Sequence, residues 1–226
     1  MINQPSSFPR FIDPRFAGRD EVVGVGADLA PATLRWAYRH GIFPWPMDCA
    51  PLLWFCPPFR AVLNFDMLHI PSSLARARRR SAFTFTIDTA FDCVIDSCSA
   101  APRHGQHGTW ITPAMRDAYL ALHRCGDAHS VEAWDEAGAL IGGLYGVSVD
   151  GVFSGESMFH RAPNASKLAL LYLVDHLSAR GLSWIDIQVM TPHMAALGAI
   201  VIPRNQFLDR LETESSRGLI LFDSEA

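Results

Sequence analysis

The sequence predicts an α+β fold, and three observations carry that expectation. Strand-like segments fill residues 130–157, a long apolar helical pattern covers about 164–180, and short strands and helices alternate from there to residue 211. The chain has 226 residues, which suits a main domain at 61–226 preceded by a small α/β domain at 1–60. Apolar residues make up 49% and charged residues 19%, so a disordered or fibrous chain is excluded. The 19 Lys+Arg against 23 Asp+Glu give a net charge of −4, which excludes a globally basic nucleic-acid coat and leaves room for a local basic patch.

Each element has a local reason. Residues 1–27 are rich in Pro, Gly and Phe and read as a loosely structured arm. Pro31 to His40 is a helix, with Asp28 just before it, Leu34, Ala37 and Tyr38 at helical spacing, and Gly41 at its end. Gly41-Ile42-Phe43-Pro44-Trp45-Pro46 reads as a rigid loop, and Arg60 to Phe65 as a short strand. Ser72 can cap a helix running to Arg80. Ala82 to Ile87 is a strand and Thr89 to Ser99 a helix. Thr112-Pro113 starts another helix that Gly126 stops. Ser130–Trp134, Ala139–Val149 and Gly151–Ser157 are strands, and Asp150-Gly151 is a strong hairpin signal. The helix from Asn164 to Arg180 offers Leu168, Leu171, Tyr172 and Leu177 to one buried side. Trp184–Val189 is a strand, Pro192–Leu197 a short helix, Ala199–Ile202 a last strand and Phe207–Leu211 a terminal helix.

No apolar run reaches the ~20 residues of a membrane span, and the stretch from Met1 to Arg15 has no apolar signal core, so a cytoplasmic protein is expected. The cysteines at 49, 56, 93, 98 and 125 form no CxxC and read as reduced thiols. His104 and His107 have no Cys or carboxylate at ligand spacing, so no metal site is expected.

The order of elements from residue 130 onward is similar to the GNAT acyltransferase core. The loop that would cradle a coenzyme A pyrophosphate, Ser157 to Pro163, lacks glycine and contains a proline. That argues against an acyl-CoA donor. Seven motifs then occur in order: Gly41-Ile42-Phe43-Pro44-Trp45, Gly108-Thr109-Trp110-Ile111-Thr112, His129-Ser130-Val131-Glu132, Gly142-Gly143-Leu144-Tyr145-Gly146, Gly155-Glu156-Ser157-Met158-Phe159, Asn164-Ala165-Ser166-Lys167 and Ile185-Asp186-Ile187-Gln188. On these the chain resembles the leucyl/phenylalanyl-tRNA–protein transferases from about Gly26 to Leu211. The resemblance implies transfer of Leu or Phe, with Met as a third candidate donor, from aminoacyl-tRNA to the N-terminal Arg or Lys of acceptor proteins. The product is an N-degron. The partners implied are Leu-tRNA, Phe-tRNA and such proteins. No cofactor is implied, because the ester is already activated. Pro46, Phe55-Cys56, His160 and Leu144 depart from the family pattern.

Asp186 and Gln188 repeat at two residues, so they share one strand face and are the catalytic candidates. An amide is a poor base, so positioning and electrostatics are the roles expected of this pair. Their plain structural reading is an Asp–Gln pair at a strand end. Glu156 ends an apolar strand, where a carboxylate needs a cavity or a partner. It is expected to meet a substrate ammonium, or else to pair with an Arg. Leu144, Phe153, Met158 and Leu173 match the family's apolar pocket, and each could equally be ordinary core. Trp45 and Trp110 are candidates for stacking on the terminal adenine. Trp45 could instead glue the two domains together. Arg76, Arg79 and Arg80 fall on one helical face and suit phosphate contacts, against the bland reading of a solvated face. The rival functions are an acyl-CoA N-acetyltransferase, a non-catalytic module for basic N-termini, and a cell-wall aminoacyl transferase. Nothing signals an oligomer, and a monomer is expected.

Overall fold

The computed structural model describes residues 11–47, 51–101 and 109–223. Residues 1–10 of the expected arm, Cys49, His104, His107 and Gly108 lie outside the described residues. The strands are β1 (Val22–Val25), β2 (Phe43–Trp45), β3 (Leu53–Phe55), β4 (Phe59–Asn64), β5 (Thr84–Ile87), β6 (Ala128–Trp134), β7 (Leu140–Val149), β8 (Val152–His160), β9 (Trp184–Gln188) and β10 (Ile200–Pro203). The helices are α1 (Pro31–Arg39), α2 (Ser72–Arg80), α3 (Phe91–Ala100), α4 (Pro113–Arg124), α5 (Ala165–Ala179), α6 (Pro192–Ala196) and α7 (Arg204–Ser215). The result is a mixed α/β protein with two sheets. The small sheet has the order β1-β3-β2, and the large one β10-β4-β9-β8-β7-β6-β5. Every pair in the large sheet is antiparallel except β8 with β9, which α5 joins as a crossover.

The large sheet separates two apolar layers, and strand alternation assigns its side chains between them. Ala61, Leu63, Leu144, Phe153, Ile185 and Ile187 pack on the α5 side. Val62, Tyr145, Phe159 and Trp184 pack on the side of α1, α3 and α4. Gly142 lets β7 approach α5 closely, because a Cβ there would lie 2.6 Å from the Ala165 Cβ. Asp150 (φ +50°) and Gly151 (φ +76°) form the two-residue hairpin with both φ positive that the Asp-Gly pair predicts.

Five expectations need correction. Within the expected arm, Val22–Val25 form β1, paired with β3, and Val23 is buried in the core. Residues 43–45 form β2 rather than loop, paired through Phe43↔Phe55 and Trp45↔Leu53. Pro44 is tolerated because β2 is an edge strand. Pro71 flanks α2 and Ser72 is already helical, so Ser72 is not the cap. Tyr172 is exposed and stacks on Phe85 at 5.4 Å instead of facing the core. Finally, α7 runs through Arg204–Ser215, well beyond 207–211. Polar anchors hold its ends: Arg204 is buried and donates to the Pro14 carbonyl at 3.0 Å, and Glu214 accepts from the Trp184 indole at 3.0 Å. A hydrophobic pattern does not reveal such anchors. Elsewhere Thr112 caps α4 as expected, accepting from the Met115 N–H.

Candidate active site

The parallel strands β8 and β9 touch at one register pair, Ser154↔Asp186. Beyond it the gap between them is a cleft of about 730 Å³, a size suited to a small ligand. Leu144, Phe153, Met158 and Leu173 all line it, with Ile185 and Ile187 from β9. Glu156 lines it as well and is the one carboxylate among the described lining residues. His160 of β8, Lys167 of α5 and His193 of α6 also line it. Burial, then the charges of Lys167 and His160, pull the His193 pKa below its usual value.

Glu156 owes its direction to a break in register. Tyr145 pairs with Ser157 and Gly146 with Gly155, so Glu156 is the extra residue of a β-bulge. Bulges re-aim side chains in this way. Its carboxylate meets three donors. Oε1 accepts from the Tyr38 hydroxyl at 2.7 Å and from Gln188 Nε2 at 2.6 Å, and Oε2 accepts from the Tyr119 hydroxyl at 3.0 Å. Burial pushes the Glu156 carboxyl up to about 7, and the three hydrogen bonds offset part of that rise. Burial and the neighbouring Glu156 raise both phenols well above the ordinary tyrosine range.

Asp186 stands behind this wall, 1% exposed. Arg60 grips it with two bonds, Nε to Oδ1 at 2.8 Å and Nη2 to Oδ2 at 2.6 Å. The guanidinium lies between the rings of Phe43 and Phe207, 4.6 Å from each centroid. Asp186 also accepts from the Ser154 hydroxyl at 3.2 Å and from the Gln188 backbone N–H at 2.9 Å. That last bond holds Gln188 in a left-handed conformation, φ +60°, which a residue with a side chain adopts at a cost. The Asp186 charge is therefore matched by Arg60 and turned towards the Gln188 backbone. The Gln188 side chain reaches Glu156 through its amino group, and its carbonyl oxygen accepts nothing from the described residues.

The aromatic and basic candidates lie outside the cleft. Trp45 and Trp110 stack on each other, 5.5 Å apart and 18° from parallel. Trp110 meets Tyr119 edge to face at 6.4 Å, which links the pair to the Glu156 wall. Arg76, Arg79 and Arg80 are exposed on α2. Their neighbour Arg78 is tied to Asp175 of α5, so α2 sits on the helix that lines the cleft.

Sequence reasoning missed Tyr38, Tyr119 and Arg60. Tyr38 and Tyr119 pass for core residues of amphipathic helices. Arg60 did carry a signal: it is a lone cation in the apolar stretch Phe59–Leu63, which a carboxylate elsewhere must answer. The motif from His129 to Glu132 is structural. His129 bonds Asp88 at 2.6 Å, and Glu132 ties Thr86 at 2.6 Å to the chain entering α3.

A mixed sheet split by one parallel pair, with an apolar cup and a hydrogen-bonding wall, defines a site for a small apolar group with a polar reacting end. The family model for leucyl/phenylalanyl-tRNA protein transferase matches residues 62–212, and that for its N-terminal domain matches 27–58. A leucyl/phenylalanyl-tRNA–protein transferase of Chromohalobacter salexigens is 53% identical over 85% of this chain and 75% of its own length. One of Nitratidesulfovibrio vulgaris is 48% identical over 88% and 84%. One of Anaeromyxobacter sp. is 50% identical over 90% and 87%. The solved structure of L-PGS from Bacillus licheniformis aligns at 13% identity with a TM-score of 0.40, over 78% of this chain and 66% of that one. The chain belongs to the leucyl/phenylalanyl-tRNA protein transferase family.

Proposed function

We propose that this protein is an aminoacyltransferase that moves Leu or Phe from aminoacyl-tRNA to the α-amine of proteins beginning with Arg or Lys. The observation that carries this reading is the cleft itself, where Leu144, Phe153, Met158, Leu173 and Glu156 come together. Leu and Phe offer no polar handle, so a cup must read them by shape, and an unbranched Met adapts to both. The donor's side chain fills the cup. The donor's ester carbonyl lies towards Glu156 and Gln188, and the acceptor's α-ammonium approaches the same wall. Gln188 orients the amine through its open carbonyl oxygen, and Asp186 fixes Gln188 through the backbone bond. Alignment of two reactants in one cleft supplies much of the rate enhancement.

Further assignments rest on the same reading. The Trp45–Trp110 stack flanks the terminal adenosine, and Arg76, Arg79 and Arg80 contact tRNA phosphates without reading bases. The core is GNAT-like: the β8–α5–β9 crossover opens on a cleft at one bridge, as a splayed parallel pair would. The chain divides near residue 60, where it passes from the small sheet to the large one. No helix among the described residues is long and apolar enough to cross a membrane. We assign a monomeric, cytoplasmic enzyme that creates N-degrons.

A transfer assay tests the function. Labelled Leu-tRNA or Phe-tRNA is mixed with a model protein starting with Arg and with an otherwise identical one starting with Ala. Label on the Arg-starting protein alone is expected. No transfer to either, with tRNA bound, would redirect the search to a cell-wall acceptor. Failure to bind tRNA would end the reading.

A further inference from the structure

We propose that Glu156 is the base of the transfer reaction, and that the Tyr38 and Tyr119 hydroxyls are positioning residues that complete its place for a proton. This rests on the transferase reading and names the group that activates the attacking amine.

Geometry leaves few candidates. Among the described residues that line the cleft, Glu156 is the only carboxylate. Asp186 is not in that lining, and both its oxygens are engaged by Arg60. Gln188 is an amide and cannot take a proton at neutral pH. The cleft's other titratable groups are Tyr145 of β7, His160 of β8, Lys167 of α5 and His193 of α6, and it is Glu156 that bonds the Gln188 amide.

The carboxylate keeps one direction open. It has about four lone-pair directions, and three are filled by Tyr38, Tyr119 and Gln188. The fourth, on Oε2, is available to an ammonium. The groups facing Glu156 are Tyr38 from α1, Tyr119 from α4, and Asp186 and Gln188 from β9, with Arg60 of β4 neutralising Asp186.

The phenols explain where the proton goes. Tyr38 and Tyr119 also touch each other, hydroxyl to hydroxyl, at 2.7 Å. Two phenol hydrogens therefore serve three short oxygen–oxygen contacts. While Glu156 is ionised both hydrogens point at it, since charge-assisted bonds are the stronger. The contact between the phenols then holds no hydrogen. A proton taken up by Glu156 supplies the third hydrogen and closes the ring.

The step balances. The α-ammonium arrives with three protons and gives one to Glu156. Its freed electron pair forms the C–N bond at the ester carbonyl carbon. Collapse breaks the C–O bond to the ribose, and a second nitrogen proton goes to the departing ribose oxygen. The third stays on the new amide, and Glu156 returns its proton to solvent. A carboxyl at about 7 and an α-amine near 7.7–8.0 differ by about one unit, so the transfer is nearly balanced in energy.

The test is the pH profile of kcat/KM for an Arg-starting peptide at saturating Phe-tRNA, in wild type and in Glu156→Gln. The wild type should fall below about pH 7 as Glu156 protonates and level off above it, since an amine that has already lost its proton still reacts. The variant should instead rise through about pH 8, since only the free amine then reacts, and kcat should drop about 10²–10⁴-fold. Its tRNA affinity, a control for folding, should hold. An infrared titration of the wild type without substrates should find a carboxyl protonating near pH 7 whose signal is absent in Glu156→Gln. An unchanged profile in the variant, or a raised peptide KM with full kcat, would overturn the proposal. Glu156 would in the second case only hold the ammonium. A wild type that transfers nothing would end the transferase reading together with the proposal, whereas a transferring wild type with an unchanged variant ends the proposal alone.

Discussion

Arg60 and Asp186 are each 1% exposed and are paired by two hydrogen bonds. Taking two charges out of water is costly, and the attraction between them repays it only while both are present. Removing one partner leaves an uncompensated charge in the core. Arg60→Ala should therefore lower unfolding stability by about 3–5 kcal/mol, measured by urea denaturation. A loss under about 1 kcal/mol would mean that water reaches Asp186. The same variant should reduce transfer more than tRNA binding, because Asp186 would no longer hold the Gln188 backbone. The two acids of the site are thus set apart by their surroundings. Asp186 is given a fixed cation, while Glu156 has three neutral donors and a cleft.

The main contributions of whole elements are two register breaks and one crossover. The bulge at Glu156 has a counterpart in β9, where Ala61 pairs with Gln188 and Val62 with Asp186, leaving Ile187 as the extra residue. Both breaks lie beside the single β8–β9 bridge, so the strands part where the reacting groups are needed. A period-2 reading of β8 would put Glu156 and Met158 on one face. The bulge instead turns Glu156 to the hydroxyls of α1 and α4, while Met158 packs with the α5 layer. Among the helices, α2 carries exposed Arg76, Arg79 and Arg80. Replacing Arg79 and Arg80 with Ala should weaken tRNA binding and reduce the slope of log affinity against log salt by about 1–2. An unchanged slope would mark that face as solvated surface only.

At the scale of the molecule, the small sheet does not stand apart. One apolar cluster joins Val23, Leu34 and Trp54 to Val62, Tyr145, Trp184 and Phe207 of the large sheet and α7. The Trp45–Trp110 stack adds a second link. The chain should therefore unfold in one transition, with tryptophan fluorescence and far-ultraviolet dichroism coinciding in urea. Separate midpoints would mean that the first 60 or so residues form an independent unit. The shared core also has a functional consequence, because α1 from the small part supplies Tyr38 to the Glu156 wall of the main part.

The sequence by itself determined the order of elements from about residue 60 onward, the Asp150-Gly151 hairpin and the family. Those features depend on local periodicity, turn chemistry and motif order, all of which are written within short stretches of chain. It left Trp45 in a loop and ended α7 early, because edge pairing and polar anchoring involve partners outside the window. Only the tertiary structure decided the electrostatics of the site. Arg60 meets Asp186 across 126 positions, Tyr38 meets Glu156 across 118, and Tyr119 meets it across 37. A carboxylate's charge state is set by burial and by the donors that face it. Both are products of packing between distant segments, so the residue types of the site could be read from the sequence while their roles could not.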